Sequence, residues 1–113
     1  MSAGIYPIII DQGSDFAVGF QIDEEGVAKD LTNYLARAQI RTTKTSAVLS
    51  GSFTCVISDA IAGKIQMTLA NADSAVIPSG VYYYDMEIYT AGDASVTRML
   101  EGTVTIKQEV TRS

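Results

Sequence analysis

The sequence has no histidine and no tryptophan, one cysteine and two prolines. Without histidine it lacks the side chain that most often moves protons near neutral pH, so Ser-His-Asp and Cys-His mechanisms are excluded. Zinc, copper or iron held by imidazole is excluded with them. A lone Cys55 cannot close an intrachain disulfide. It lies in the alternating run Phe53 to Ile57, where it reads as a small buried hydrophobe. Long apolar runs are missing as well: stretches such as Ile8 to Ile10 fall far short of the roughly 20 residues that span a bilayer. The first residues carry neither the basic segment nor the apolar core of a signal peptide, so synthesis in the cytoplasm with no membrane partner is the expectation.

Positive charge is scarce. Eight Lys plus Arg stand against thirteen Asp plus Glu, a formal net charge of −5. Nucleic-acid affinity depends on Lys and Arg displacing counterions from phosphates, so a nucleic-acid partner is not expected. The basic cluster Arg37, Arg41 and Lys44 is diluted by neutral polar residues and reads as a solvated strand face. Gly-rich phosphate loops, a CxxC pair and a nucleophile elbow are all absent.

What is present is a foldable chain of 113 residues, 47% apolar and 19% charged. That length fits a single domain over residues 1–113. Its apolar periodicity is close to two almost throughout. Phe16, Val18, Phe20 and Ile22 share one parity, as do Tyr34, Ala36, Ala38 and Ile40. Phe53, Cys55 and Ile57 lead across Asp59 to Gly63 into Ile65, Met67 and Leu69, a hairpin. In the strand Val81 to Tyr89, Tyr82, Tyr84, Met86 and Ile88 face one way while Tyr83, Asp85, Glu87 and Tyr89 face the other. Its hairpin partner runs from Val96 to Ile106, with Val96, Leu100, Val104 and Ile106 on the apolar parity. Arg98 and Gly102 interrupt that parity; the glycine is read as a bulge or a close backbone approach, the arginine as lying near the sheet end. Adding a first strand at Tyr6 to Asp11 gives about seven strands. The expected fold is all-β, an antiparallel immunoglobulin-like β-sandwich, with at most one short helical turn between Ala70 and Ile77, stopped by Pro78.

Clusters with chemical potential reduce mostly to surface. Asp23, Glu24, Glu25 and Asp30 lack EF-hand spacing and read as an acidic turn, so no metal or other cofactor is expected. Asp85 and Glu87 point to the same face at a separation of about 7 Å, where neither is forced to hold a proton. Tyr83 and Tyr89 on the outer face suit contact with a sugar ring or another protein chain. The segment Ile5, Tyr6, Ile8, Ile9 and Ile10 reads as a β-prone edge with only Pro7 and Asp11 as guards, hence as a protein-contact edge.

The order of the segments is the most specific feature. Asp30-Leu31-Thr32-Asn33-Tyr34 is followed by Ala36-Arg37-Ala38-Gln39-Ile40-Arg41, by Tyr84-Asp85-Met86-Glu87-Ile88, by Arg98-Met99-Leu100-Glu101-Gly102-Thr103-Val104 and by Glu109-Val110-Thr111-Arg112. Together these resemble a family of small virion structural proteins from tailed bacteriophages and prophages. The family pattern has glycine where Asn33 stands and leucine where Met86 stands; asparagine is the next-best residue for a left-handed turn. The resemblance implies a non-catalytic subunit of tail, baseplate or neck, made in the host cytoplasm and resident in the virion. Its implied partners are other virion subunits in multiple copies. A carbohydrate-binding host-adhesion module using Tyr83 and Tyr89 against a host-surface glycan, and a capsid decoration protein, are the alternatives.

Overall fold

In the computed structural model, residues 4–46 and 49–108 are described; the Glu109 to Arg112 motif lies outside them. Among the described residues, ten strands, one α-helix and one 3₁₀ turn follow in the order β1 (Gly4–Ile5), β2 (Ile8–Asp11), β3 (Phe16–Gln21), β4 (Asp23–Glu24), β5 (Val27–Ala28), β6 (Leu35–Arg41), β7 (Gly51–Asp59), β8 (Lys64–Leu69), α1 (Asn71–Ala75), β9 (Gly80–Tyr89), the 3₁₀ turn Ala91–Asp93 and β10 (Val96–Lys107). Seven of the strands have four or more residues, and the described residues are all-β apart from α1, the one helical turn the sequence led one to expect, and the 3₁₀ turn, which it did not.

The sheet is continuous, in the order β1-β10-β9-β6-β7-β8-β3, with β2 also on β10. Strand β7 joins its two halves. Its Gly51–Phe53 end pairs with β6 and its Thr54–Asp59 end with β8, so the sheet folds over along one strand. Phe53 sits at that fold and links the halves, its ring 5.8 Å from Phe16 of β3 and 5.9 Å from Tyr84 of β9. Between the halves lies the core, in which Ile40, Met67, Met86, Ile88 and Val104 are wholly buried. Period-two sequences form this arrangement because each strand offers one apolar row to the interior.

Two expectations need correction. The sheet is mixed, not antiparallel: β1 and β2 both run parallel to β10, and the curl replaces two separate sheets. Ile5 stands opposite Glu101 and Ile8 opposite Val104, so β1 and β2 are one strand in one register, interrupted at Tyr6 and Pro7. Proline has no N–H to give the ladder. At the same point Gly102 lets the strands close up, for a Cβ there would lie 2.6 Å from the Tyr6 carbonyl oxygen. The bulge is therefore not at Gly102. It falls between Arg98 and Leu100, where the register with β9 shifts. Met99 is turned inward, 7% exposed, Val96 is left 43% exposed, and Arg98 lies near the sheet end and reaches solvent as expected, but from the outer face and not from the apolar one.

Local turn chemistry matches the sequence closely. Glu25 and Gly26 both have positive φ, 54° and 79°, the backbone of a two-residue hairpin turn between β4 and β5. Asp30 accepts hydrogen bonds from the Thr32 N–H at 2.9 Å and hydroxyl at 2.5 Å, and Asn33 takes the left-handed conformation at φ 71°. Those hydrogen bonds hold the Asp30 carboxyl below its usual range. Leu31 is then set into the core. Ser74 of α1 is fully buried and satisfied: its hydroxyl donates to the Ser14 carbonyl at 2.8 Å and accepts the Gly13 N–H at 3.1 Å. Cys55 is half-buried against the core, as expected, and burial pushes its thiol up to about 11.

Candidate interaction surface

The outer face of β10, β9 and β6 is built in rows, because directly opposed residues in neighbouring strands share a face. Leu35, Tyr89 and Val96 form an apolar row at one end. Next come Arg37, Glu87 and Arg98, then Gln39, Asp85 and Glu101, which continues to Ile5 of β1. Arg41, Tyr83 and Thr103 follow, and Val81, Thr105 and Ile9 of β2 close the face.

The middle rows are an ion-pair network. Arg37 donates to Glu87 at 2.9 Å. Arg98 lies 3.2 Å from Asp85 and 3.6 Å from Glu101. Asp85 and Glu101 are like charges directly opposed, which is unfavourable unless a cation stands between them. Arg98 is that cation, and it is there only because the bulge turns it outward. Sequence parity assigned it to the inner face, so its role was missed; the charged residue on an otherwise apolar stripe was the available signal. Asp85 is held above the usual carboxylate range, first by burial; Arg98 opposes the shift, and Glu87 and Glu101 add to it.

Both candidate tyrosines lie on this face. Tyr89 is half-buried with the Arg37 guanidinium 4.3 Å over its ring, and Tyr83 is 36% exposed with the Lys44 ammonium 5.7 Å over its ring. Within the basic cluster Arg37 stacks on Tyr89 and pairs with Glu87 across strands, and Lys44 stands over Tyr83. Arg41 gives one nitrogen to Gln39 at 2.8 Å and another to the Ser46 carbonyl at 3.1 Å. Tyr83, Gln39, Arg41, Lys44, Asp85 and Arg98 line a shallow depression of about 220 Å³.

The N-terminal contact candidates divide by parity. Ile8 and Ile10 are each 2% exposed and belong to the chain's own core, so they are not contact side chains. Ile5 and Ile9 are 79% and 61% exposed on the outer face. Tyr6 spans the two roles: its ring meets Phe20 of β3 edge-on at 5.2 Å, closing the curl, while its carbonyl accepts the buried Tyr84 hydroxyl at 2.6 Å. The acidic turn is dispersed, with Asp23 accepting from Gln21 and Glu24 paired to Lys29 at 3.0 Å. Among the described residues no group of three or more His, Cys, Asp or Glu side chains is placed to hold a metal ion, and no helix is long and apolar enough to cross a membrane.

The chain is similar in fold to a phage protein domain. The N-terminal domain of phage TP901-1 ORF48 superposes with a TM-score of 0.60 at 11% identity, over 95% of this chain and 99% of that one. A family 123 glycoside hydrolase from Clostridium perfringens overlaps 99% of this chain but 24% of its own, with a TM-score of 0.45 and 10% identity. No protein-family model matches the sequence, and no curated protein matches it.

Proposed function

We propose that this chain is a non-catalytic structural subunit of a tailed-bacteriophage virion, in the tail or baseplate, acting through protein–protein contacts. The observation that carries the reading is the end-to-end likeness to a phage protein domain: 95% of one chain and 99% of the other superpose, so the resemblance is of a whole module and not of a shared strand motif. The outer face supports it, since Tyr83 and Tyr89 are fixed by stacked cations and Arg98 is fixed by two carboxylates. Ordered aromatic and arginine side chains lose little freedom on contact and are the residue types enriched where interfaces are strongest.

Electron cryomicroscopy of particles from the phage or prophage that encodes the chain tests the assignment. Density for this fold in the tail or baseplate is expected, with the β6-β9-β10 face against a neighbour. Density on the capsid surface would replace the assignment with a decoration protein, and absence from the particle would overturn it. A glycan-binding reading is favoured by one observation, the depression beside the half-exposed Tyr83. At about 220 Å³ it is smaller than the roughly 300–1,000 Å³ usual for small-molecule sites. Binding on a glycan array that is lost in Tyr83→Ala would establish it.

A further inference from the structure

We infer that the open edge formed by β1 and β2 pairs with the same edge of a second copy of this chain, antiparallel about a twofold axis at Pro7. The backbone directions fix which groups are available. Tyr6 and Gln12 donate their N–H groups to the Glu101 and Lys107 carbonyls of β10. Backbone groups alternate sides along a strand, so the even residues are spent on β10, while the N–H and C=O groups of Ile5 and Ile9 and the N–H of Asp11 point away from it; the Asp11 carbonyl accepts the Ser14 N–H at 3.0 Å. Among the described residues no strand pairs with that side.

The side chains select the occupant. Ile5, Pro7, Ile9 and Asp11 all lie on the outer parity and all are exposed. None of them is a lysine, the usual guard on a free edge. With the axis at Pro7, Ile5 of one copy stands opposite Ile9 of the other, and each such pair exchanges both of its backbone hydrogen bonds. Pro7 then faces itself on the axis, the one place where its missing N–H forfeits the central bonds and nothing else. The exposed isoleucines, 79% and 61%, become cross-strand neighbours, and Asp11 is kept away from its own copy. An axis at Ile9 would instead oppose Pro7 to Asp11 and leave both Ile5 side chains in water. The other free edge, β3, is a poorer template: its outward residues Ala17, Gly19 and Gln21 are small or polar. Pairing so short a strand buries less than the roughly 1,000 Å² of a stable interface, so the dimer forms at concentrations of about 10 μM to 1 mM and is reinforced when copies are tethered in an assembly.

Sedimentation velocity on the purified chain, from about 10 μM to about 1 mM, tests this without reference to any virion, so its failure and that of the proposed function are separate results. A concentration-dependent dimer is expected. Ile9→Pro removes only an outward N–H, so it should keep the far-UV circular dichroism of the wild type while raising the dimer dissociation constant on the order of 100-fold or more. Ile9→Lys should do the same by placing a charge in the seam, and it decides the matter if the proline variant folds poorly. In a Cys55→Ser background, Ile5→Cys and Ile9→Cys chains should each stay unbridged alone and form a disulfide when mixed and oxidised, since opposed Cα atoms about 5.5 Å apart suit the bond. A monomer throughout the range, a dimer unmoved by both Ile9 variants, or a bridge in Ile9→Cys alone would overturn the inference.

Discussion

Replacing Tyr84 by Phe removes one oxygen from the best-defined joint of the molecule. The Tyr84 side chain is 4% exposed, and its hydroxyl donates to the Tyr6 carbonyl at 2.6 Å, where the N-terminal strand passes over Gly102. Its ring contact with Phe53 at 5.9 Å needs no hydroxyl and survives the change. What is lost is one buried hydrogen bond, and what is left is a carbonyl without that donor. A cost of about 1–3 kcal/mol at pH 7 is expected, from urea unfolding followed by circular dichroism. The same oxygen gives a pH signature. Burial pushes the Tyr84 hydroxyl up from 10.0 to about 12, so the folded state holds its proton after the unfolded state has released it. Stability from this group is complete below pH 10 and is lost as pH rises through the folded value, up to about 2.7 kcal/mol over two pH units. The variant lacks this titrating hydroxyl. The difference between the two should therefore be constant from pH 7 to pH 9 and shrink steeply above pH 10. A loss under about 0.5 kcal/mol at pH 7, or a difference independent of pH up to 11.5, would refute the assignment of this hydrogen bond.

Gly102→Ala puts a methyl group 2.6 Å from the Tyr6 carbonyl and must displace β1 and β2; a fall of about 8 °C or more in melting temperature, measured calorimetrically, is expected. Arg98→Gln leaves Asp85 and Glu101 opposed without their cation, so stability should drop by about 0.5 kcal/mol at pH 7, a value discounted for exposure. That loss should shrink in acid as Asp85, whose carboxyl is held above the usual range, takes up its proton, which pH-dependent denaturation will read. Asp85→Asn should leave stability unchanged or raise it at neutral pH, because a carboxyl whose folded pKa is raised stabilises only while protonated. Treatment with EDTA should leave the melting temperature unmoved, and a drop of several degrees would reveal a metal that the residue pattern does not require.

How far the sequence could be read follows from which interactions are local. Alternation along Tyr82 to Tyr89 assigns every side chain to its observed face, because nothing in β9 interrupts a period of two. The turns at Asp30 to Asn33 and at Glu25-Gly26 are equally legible, since a capping carboxylate and a positive φ are properties of a few adjacent residues. Reading fails where a partner strand decides. In β10 the period slips at Met99; of the two sequence readings of Gly102, a bulge or a close backbone approach, the second holds, since the residue makes room for Tyr6. The slip is also what creates the outer face: by moving Arg98 out it turns an unfavourable pair of carboxylates into an ion-pair network. Three consecutive isoleucines at residues 8–10 carry no alternation at all, so only the parallel pairing with β10 distinguishes the buried Ile8 and Ile10 from the exposed Ile9. The first expectation for that segment treated it as one apolar edge awaiting cover. The fold has already covered half of it, and the half left outside, Ile5 and Ile9 on an edge with open backbone groups, is the more specific surface because both its side chains and its hydrogen-bond directions are fixed.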